Sequence, residues 1–400
     1  MTNPVRLAVL AALMVIATSH GGWSQSRSPI ISVVDVQVGS PPIPVRIAGK
    51  RHLVYELHIT NFTLSEITLT RLEVLDANRG TTLGDFRDTD LNDRLGRPGA
   101  AVDADQKRAI AAGMRAVVYL SLALDDAVPT PSRLQHKLEL DMIHASRRLS
   151  TLVDAGASEV GSRRPIVLNP PLRGGPWVAL YDPSMAGGHR TAIYAVNGRA
   201  RIPARFAIDW VRLETDGTHS RGDDSQIANW HGYAAEVLAV ADAIVVEAMD
   251  DMAEAPSLAR GSHAPIPLEN VSGNFVCLDL GGGQYAFYEH LKHGSLRVKS
   301  GERVKSGQVL GLLGNSGGSS SGPHLHFHVG DAPSELASEG LPYVFRSFDV
   351  IGAFDRIDAF AAGTLWQPAP TAGGLRSNEL PAPNTVILFP TATRKRLAPE

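Results

Sequence analysis

The octapeptide Gly322-Pro323-His324-Leu325-His326-Phe327-His328-Val329 constrains this chain more than any other stretch. Successive strand side chains point to opposite faces, so His324, His326 and His328 share one face while Leu325, Phe327 and Val329 share the other. The result is a row of imidazoles on a wall backed by apolar side chains. Strand residues two apart are separated by roughly 6.8 Å. One imidazole can therefore ligate a metal at about 2.0 Å while its neighbour reaches a water on that metal, a spacing that suits a metal hydrolase. A short hairpin with exposed histidines is the plainer reading. Against it stands the turn-rich approach from Gly314 to Gly322, which sets a rigid proline immediately before the strand.

Four hundred residues exceed one ordinary core, and two domains are expected from a chain that is 44% hydrophobic. A net charge of −3 gives no basic face for nucleic acid. Arg6, the apolar run Leu7 to Ala17 and the small residues up to Ser24 have the layout of a secretory signal over residues 1–24. The mature chain is then exported, periplasmic or extracellular. The apolar run is too short for the ~20 residues of a spanning helix, so no integral membrane span is expected. Cys277 is the single cysteine, which excludes a disulfide framework, a cysteine zinc site and a lipid-bearing cysteine near the signal.

The fold class read from periodicity is mainly β. Leu53, Tyr55, Leu57 and Ile59 alternate with polar or smaller neighbours, as do Val118, Leu120, Leu122 and Leu124, and Leu138, Leu140 and Met142. Half-buried antiparallel strands at this spacing predict an N-terminal β-sandwich over residues 30–145. Its histidines, His52, His58, His136 and His144, are scattered and read as surface or internally satisfied side chains. Residues 146–171, with Arg pairs, glycines and Pro170-Pro171, read as a linker. A second, strand-rich domain is expected over 172–360, with a polar loop between Trp210 and Ala235. The Pro/Ala/Gly-rich segment 361–400 reads as a poorly ordered, low-complexity tail in which Val386-Ile387-Leu388 offers one docking strand.

Within the second domain three motifs occur in order: Tyr288-Glu289-His290-Leu291, then V-x-x-G-x-x-V-x-x-G-Q from Val298 to Gln308, then S-G-P-H-L-H-F from Ser321 to Phe327. Residues 274–329, the core of a match extending over roughly 172 to 330, resemble the M23 (lysostaphin- or LytM-type) zinc peptidases. The resemblance implies an antiparallel β-sheet groove. It also implies a zinc cofactor and cleavage of peptide bonds in bacterial peptidoglycan. Carried over residue by residue, it makes His326 a metal ligand, His324 the general base and His290 the group that helps stabilise the transition state. The family's remaining ligands come from H-x-x-x-D, and the best counterpart here is Arg205-Phe206-Ala207-Ile208-Asp209. Asp209 is then a ligand, but arginine stays protonated and cannot be one.

A catalytic zinc needs about three protein donors and an open position, so Asp209 and His326 are one short. His189, in the short glycine-rich turn before Arg190, is the first candidate for the third donor. His219 and His231, in the loop after Asp209, are the others. His328 stands where the family usually has an acidic or amide residue, and its expected role is to support the ligands. The expected function is that of an exported zinc-dependent endopeptidase acting on peptidoglycan or a related peptide, with the sandwich placing it or meeting a cell-envelope protein partner. A catalytically inactive groove that binds a wall fragment or regulates a partner hydrolase is the alternative. A lipoyl-type carrier shares the glycine-valine turn but lacks a modifiable lysine motif after it.

Overall fold

A computed structural model describes residues 33–391, apart from 145–146, 182–187, 259–265, 319 and 370–373. The secretory-signal segment and residues 392–400 lie outside the described residues. The protein is mainly β, and its two large assemblies are antiparallel throughout.

The N-terminal half holds two five-stranded sheets. Lys50–Asn61 pairs with Arg115–Leu124, and Ile67–Asp76 pairs with Arg133–His144. The alternating residues Leu53, Tyr55, Leu57 and Ile59 meet Leu69, Leu72, Val118, Leu120, Leu138 and Leu140 in one core. On the reverse face of the same long strand Val54 and Glu56 are also buried. Alternation alone would leave that face in water. It is covered because Val45, Ile47 and Val54 belong to the apolar core of the C-terminal half.

Two boundaries read from composition are corrected. Residues 147–159, assigned to a linker, form the strand Arg147–Glu159, paired along its length with Arg133–His144. It is an edge strand with most side chains in solvent, so hydrophobic periodicity could not reveal it. The segment 361–400 is not an unstructured tail through residue 391. Thr385–Phe389 lies inside the largest sheet, hydrogen-bonded to Gly174–Leu180 on one side and Phe348–Ala353 on the other. Val386, Ile387 and Phe389 are buried there, and the docking strand expected at Val386-Ile387-Leu388 is thus an interior one.

That eleven-stranded sheet runs through Ala243–Met249, Asn274–Gly281, Gln284–Leu291, Leu325–Gly330, Ile208–Arg212 and Gly174–Leu180 in spatial order before reaching the C-terminal strands. The histidine strand Leu325–Gly330 is therefore central, flanked by Gln284–Leu291 and Ile208–Arg212. Its Leu325, Phe327 and Val329 point into the core with Tyr288, Tyr343 and Phe345, all fully buried. Cys277 is also buried, and desolvation pushes its thiol up to about 12, so it behaves as a small apolar residue. Among the described residues no helix is long and apolar enough to cross a membrane.

His136 shows what a satisfied core histidine looks like. It is 0% exposed, its Nδ1–H donates to the Gly156 carbonyl at 2.8 Å, and its Nε2 accepts from the Tyr55 hydroxyl at 2.8 Å. Burial lowers its pKa from the ordinary 6.5 to about 4. A group whose folded pKa is depressed stabilises the fold above its unfolded pKa, and that contribution is lost as pH falls towards the folded value. Wild-type protein should therefore lose about 3 kcal/mol relative to His136→Gln as pH falls from about 6.5 to 4. Denaturant titrations of both proteins across that range test this. Parallel pH profiles would show that His136 is not buried as the neutral imidazole.

Candidate metal centre

The site is built on three adjacent strands. In register, Asp209 of Ile208–Arg212 and Glu289 of Gln284–Leu291 flank His326 of the central strand. Cross-strand partners share a face, so one carboxylate stands on each side of the His326 imidazole. His324 and His328 extend the row in both directions along the strand.

His290 joins by a different device. It follows Glu289 directly, and in a regular strand the two would point to opposite faces. Between Asn274 and Val276 the pairing with Leu291 and Tyr288 slips by one residue, a β-bulge on the His290 strand, and His290 has a left-handed φ of 62°. A bulge lets two consecutive side chains serve one face. The His290 ring thereby sits 4.7 Å from the ring of His324 and 6.0 Å from that of His326. The peptide N–H of His290 is held by the Ser272 carbonyl, and its Nδ1 donates to the Ser316 carbonyl at 2.8 Å.

His189 reaches the same place from outside the sheet, in the three-residue helical turn His189–Thr191. Its Nδ1 is 3.2 Å from the Ala207 carbonyl and its Nε2 is 3.0 Å from Asp209 Oδ2, while His326 Nδ1 is 2.8 Å from Asp209 Oδ1. The two rings stand edge to face at 4.7 Å. His189, Asp209 and His326 thus bring their donor atoms into one cluster. His219 and His231 do not join it: His219 lies against Trp230 and 3.6 Å from Asp224, and His231 contacts Thr218. Trp230 explains one glycine of the motif. A Cβ on Gly322 would lie 2.2 Å from its ring, so only glycine lets this loop cover the approach to the histidine strand.

The hydrogen bonds test whether these residues fit a cation. A carbonyl can only accept, so Ala207 places the His189 proton on Nδ1 and leaves the Nε2 lone pair aimed at Asp209. Gly322 does the same for His324, whose Nδ1 is 2.7 Å from its carbonyl and whose Nε2 lies 3.3 Å from Asp209 Oδ1. Each of these contacts is satisfied either by a second proton on the imidazole or by a metal ion shared between the two atoms. Asp209 supplies the countercharge. Burial by itself would raise its pKa, but His189 and His324 outweigh that and hold it well below the usual carboxylate range. The separations of 2.8 and 3.0 Å fall a few tenths short of the roughly 3.3 Å between tetrahedral donors about 2.0 Å from zinc. Two imidazoles and one carboxylate make a donor set suited to zinc.

Arg205 presents no cation to this cluster. Its guanidinium turns away, with Nε 2.8 Å from Glu56 and a terminal nitrogen 2.9 Å from Glu339. Glu289 was not singled out by the sequence reading. It is 3% exposed, and burial, with Glu335 nearby, pushes its carboxyl well above the ordinary range. Its Oε1 is 3.4 Å from His328 Nδ1, and the His328 ring stacks on Phe287 at 4.6 Å. The signal available was an acid at a strand position cross-registered with His326. The bulge that brings His290 alongside it has no signature in single residues.

The central histidine strand, its flanking aspartate and the bulged histidine stand on an antiparallel β-sheet consistent with the M23 fold. Residues 227–336 match the model of Peptidase family M23, and that segment belongs to the family. No curated protein sequence matches the chain. Among solved structures it is similar to the catalytic domain of lysostaphin from Staphylococcus simulans, at 21% identity over 37% of this chain and 80% of that one, with a TM-score of 0.22. A putative peptidase M23 from Pseudomonas aeruginosa matches at 14% identity over 68% and 91%, with a TM-score of 0.24. A zinc-containing peptidase from Vibrio cholerae matches at 14% over 73% and 81%, with a TM-score of 0.22.

Proposed function

We propose that the protein is an exported zinc-dependent endopeptidase that hydrolyses peptide bonds, with peptidoglycan as the substrate class. The observation that carries this reading is the convergence of His189 Nε2, Asp209 and His326 Nδ1 beside two further histidines, His290 and His324. Zinc held by these three donors would supply Lewis-acid activation of a water. His324 is placed to take the proton at Nε2, because Gly322 fixes its own proton on Nδ1. Asp209 beside it favours the protonated form, and against the effect of burial this raises the His324 pKa. His290 is likewise oriented through Nδ1. In this tautomer its Nε2 faces the other histidines as an acceptor. Burial lowers its pKa well below the ordinary value, which keeps the ring neutral.

The mature full-length protein should bind one zinc per chain and release peptides from purified peptidoglycan. His189→Ala should weaken zinc by more than about 100-fold, beyond what losing a mere supporting contact costs. Metal analysis after dialysis and chromatography of the digest measure both. A wild-type chain that takes up no zinc at neutral pH would sink the peptidase reading and leave a groove that binds a wall fragment or a partner hydrolase.

A further inference from the structure

Glu56 lies mid-strand in the N-terminal half, far in sequence from every motif above, yet it is 2% exposed and both its oxygens are taken. Oε1 accepts from Arg190 Nε at 2.7 Å and Oε2 accepts from Arg205 Nε at 2.8 Å. Arg190 also donates to the Tyr55 and Leu120 carbonyls at 2.5 and 2.6 Å, so its guanidinium is sunk between two backbone strands of the N-terminal sheet. Arg205 continues to Glu339, and the buried set of two guanidinium and two carboxylate groups is neutral overall.

The two arginines hold the two segments that carry metal-site donors. Arg190 is bonded directly to His189, and Arg205 begins the run that ends at Asp209. A cavity of about 130 Å³ lies against the His189 turn, lined by His52, Val54, Ser121 and Phe206 among others. The turn is three residues long, with no side-chain cap. We propose that Glu56 is a positioning residue for the metal centre, holding His189 in reach of Asp209 through Arg190, so that the N-terminal half is part of the site. This rests on the metal-binding reading above. It also accounts for the arginine at position 205: the chain places an anchor where the family pattern has a ligand, and takes its donor from the turn that the same carboxylate anchors.

The test compares full-length wild type with Glu56→Gln, Arg190→Gln and Arg46→Ala. Arg46 lies 3.7 Å from Glu379 and also joins the two halves, but its segment carries no donor. Zinc affinity is read by competition with a chromophoric chelator, at a temperature where each variant retains wild-type circular dichroism. Glu56→Gln and Arg190→Gln should bind zinc about 10- to 100-fold more weakly, and Arg46→Ala within twofold of wild type. In metal-free protein, long-range ¹H–¹⁵N spectra should show the His189 Nδ1–H bond to Ala207 lost in the first two variants alone. Wild-type affinity and unchanged His189 signals in Glu56→Gln and Arg190→Gln would overturn the proposal. So would an equal loss in Arg46→Ala, which would reduce Glu56 to general docking. If Glu56→Gln does not fold, Arg190→Gln decides, because it leaves Glu56 paired with Arg205. If wild type binds no zinc, the peptidase reading fails, while the His189 spectra still decide this one.

Discussion

Replacing His326 with alanine is expected to abolish metal binding and hydrolysis together. Its Nδ1 is one of the two imidazole donors beside Asp209, and the ring also touches His189, His290 and His328. Two remaining protein donors do not make a catalytic zinc site, so the loss in affinity should exceed the roughly 10- to 100-fold expected for a supporting contact. His324→Ala is the informative partner. It leaves His189, Asp209 and His326 in place, so zinc should be retained while kcat falls by about 10² to 10⁴, the usual worth of general acid–base catalysis. Parallel metal analysis and turnover on peptidoglycan separate the two roles. Zinc bound to His326→Ala at wild-type affinity would move the ion away from the strand centre, and loss of zinc in His324→Ala would make that residue a ligand.

The second large effect concerns the fragment 172–360, which composition marks off as an independent domain. It is expected to be molten or insoluble. Removing the N-terminal half takes Val45, Ile47 and Val54 out of the apolar core of the C-terminal half, each worth about 1.5–3 kcal/mol of burial. The fragment also lacks Val386, Ile387 and Phe389, each worth about 1.5–3 kcal/mol of burial. Together these losses match the 5–15 kcal/mol by which domains are usually stable. Near-ultraviolet circular dichroism and urea unfolding of the fragment against full-length protein measure this. A cooperative transition at the full-length midpoint would show the two halves to be independent.

The histidine wall was legible because strand geometry has a period of two and nothing in Leu325–Gly330 interrupts it. The apolar core of the N-terminal half was legible for the same reason. His189 stands beside Asp209 as the glycine-rich turn suggested, but its anchor was not readable, because Glu56 is 134 residues from Arg190 and looks like an ordinary solvent-facing strand residue. Arg205 presented the same difficulty: a missing ligand is visible in one dimension, whereas the place its side chain goes instead is not. Arg147–Glu159 has too few buried side chains to leave a pattern. Thr385–Phe389 has five residues set among prolines and glycines, too short a run to outweigh its surroundings.

The interior position of Thr385–Phe389 also sets an order of events during synthesis. Its neighbour Gly174–Leu180 leaves the ribosome more than two hundred residues earlier, which at about 5–20 residues per second is a delay of roughly ten to forty seconds. Until the late strand arrives, one edge of the early one has unpaired amides and carbonyls, a template for pairing with another nascent chain. The sheet that carries the histidine strand can therefore close only once Thr385–Phe389 has emerged.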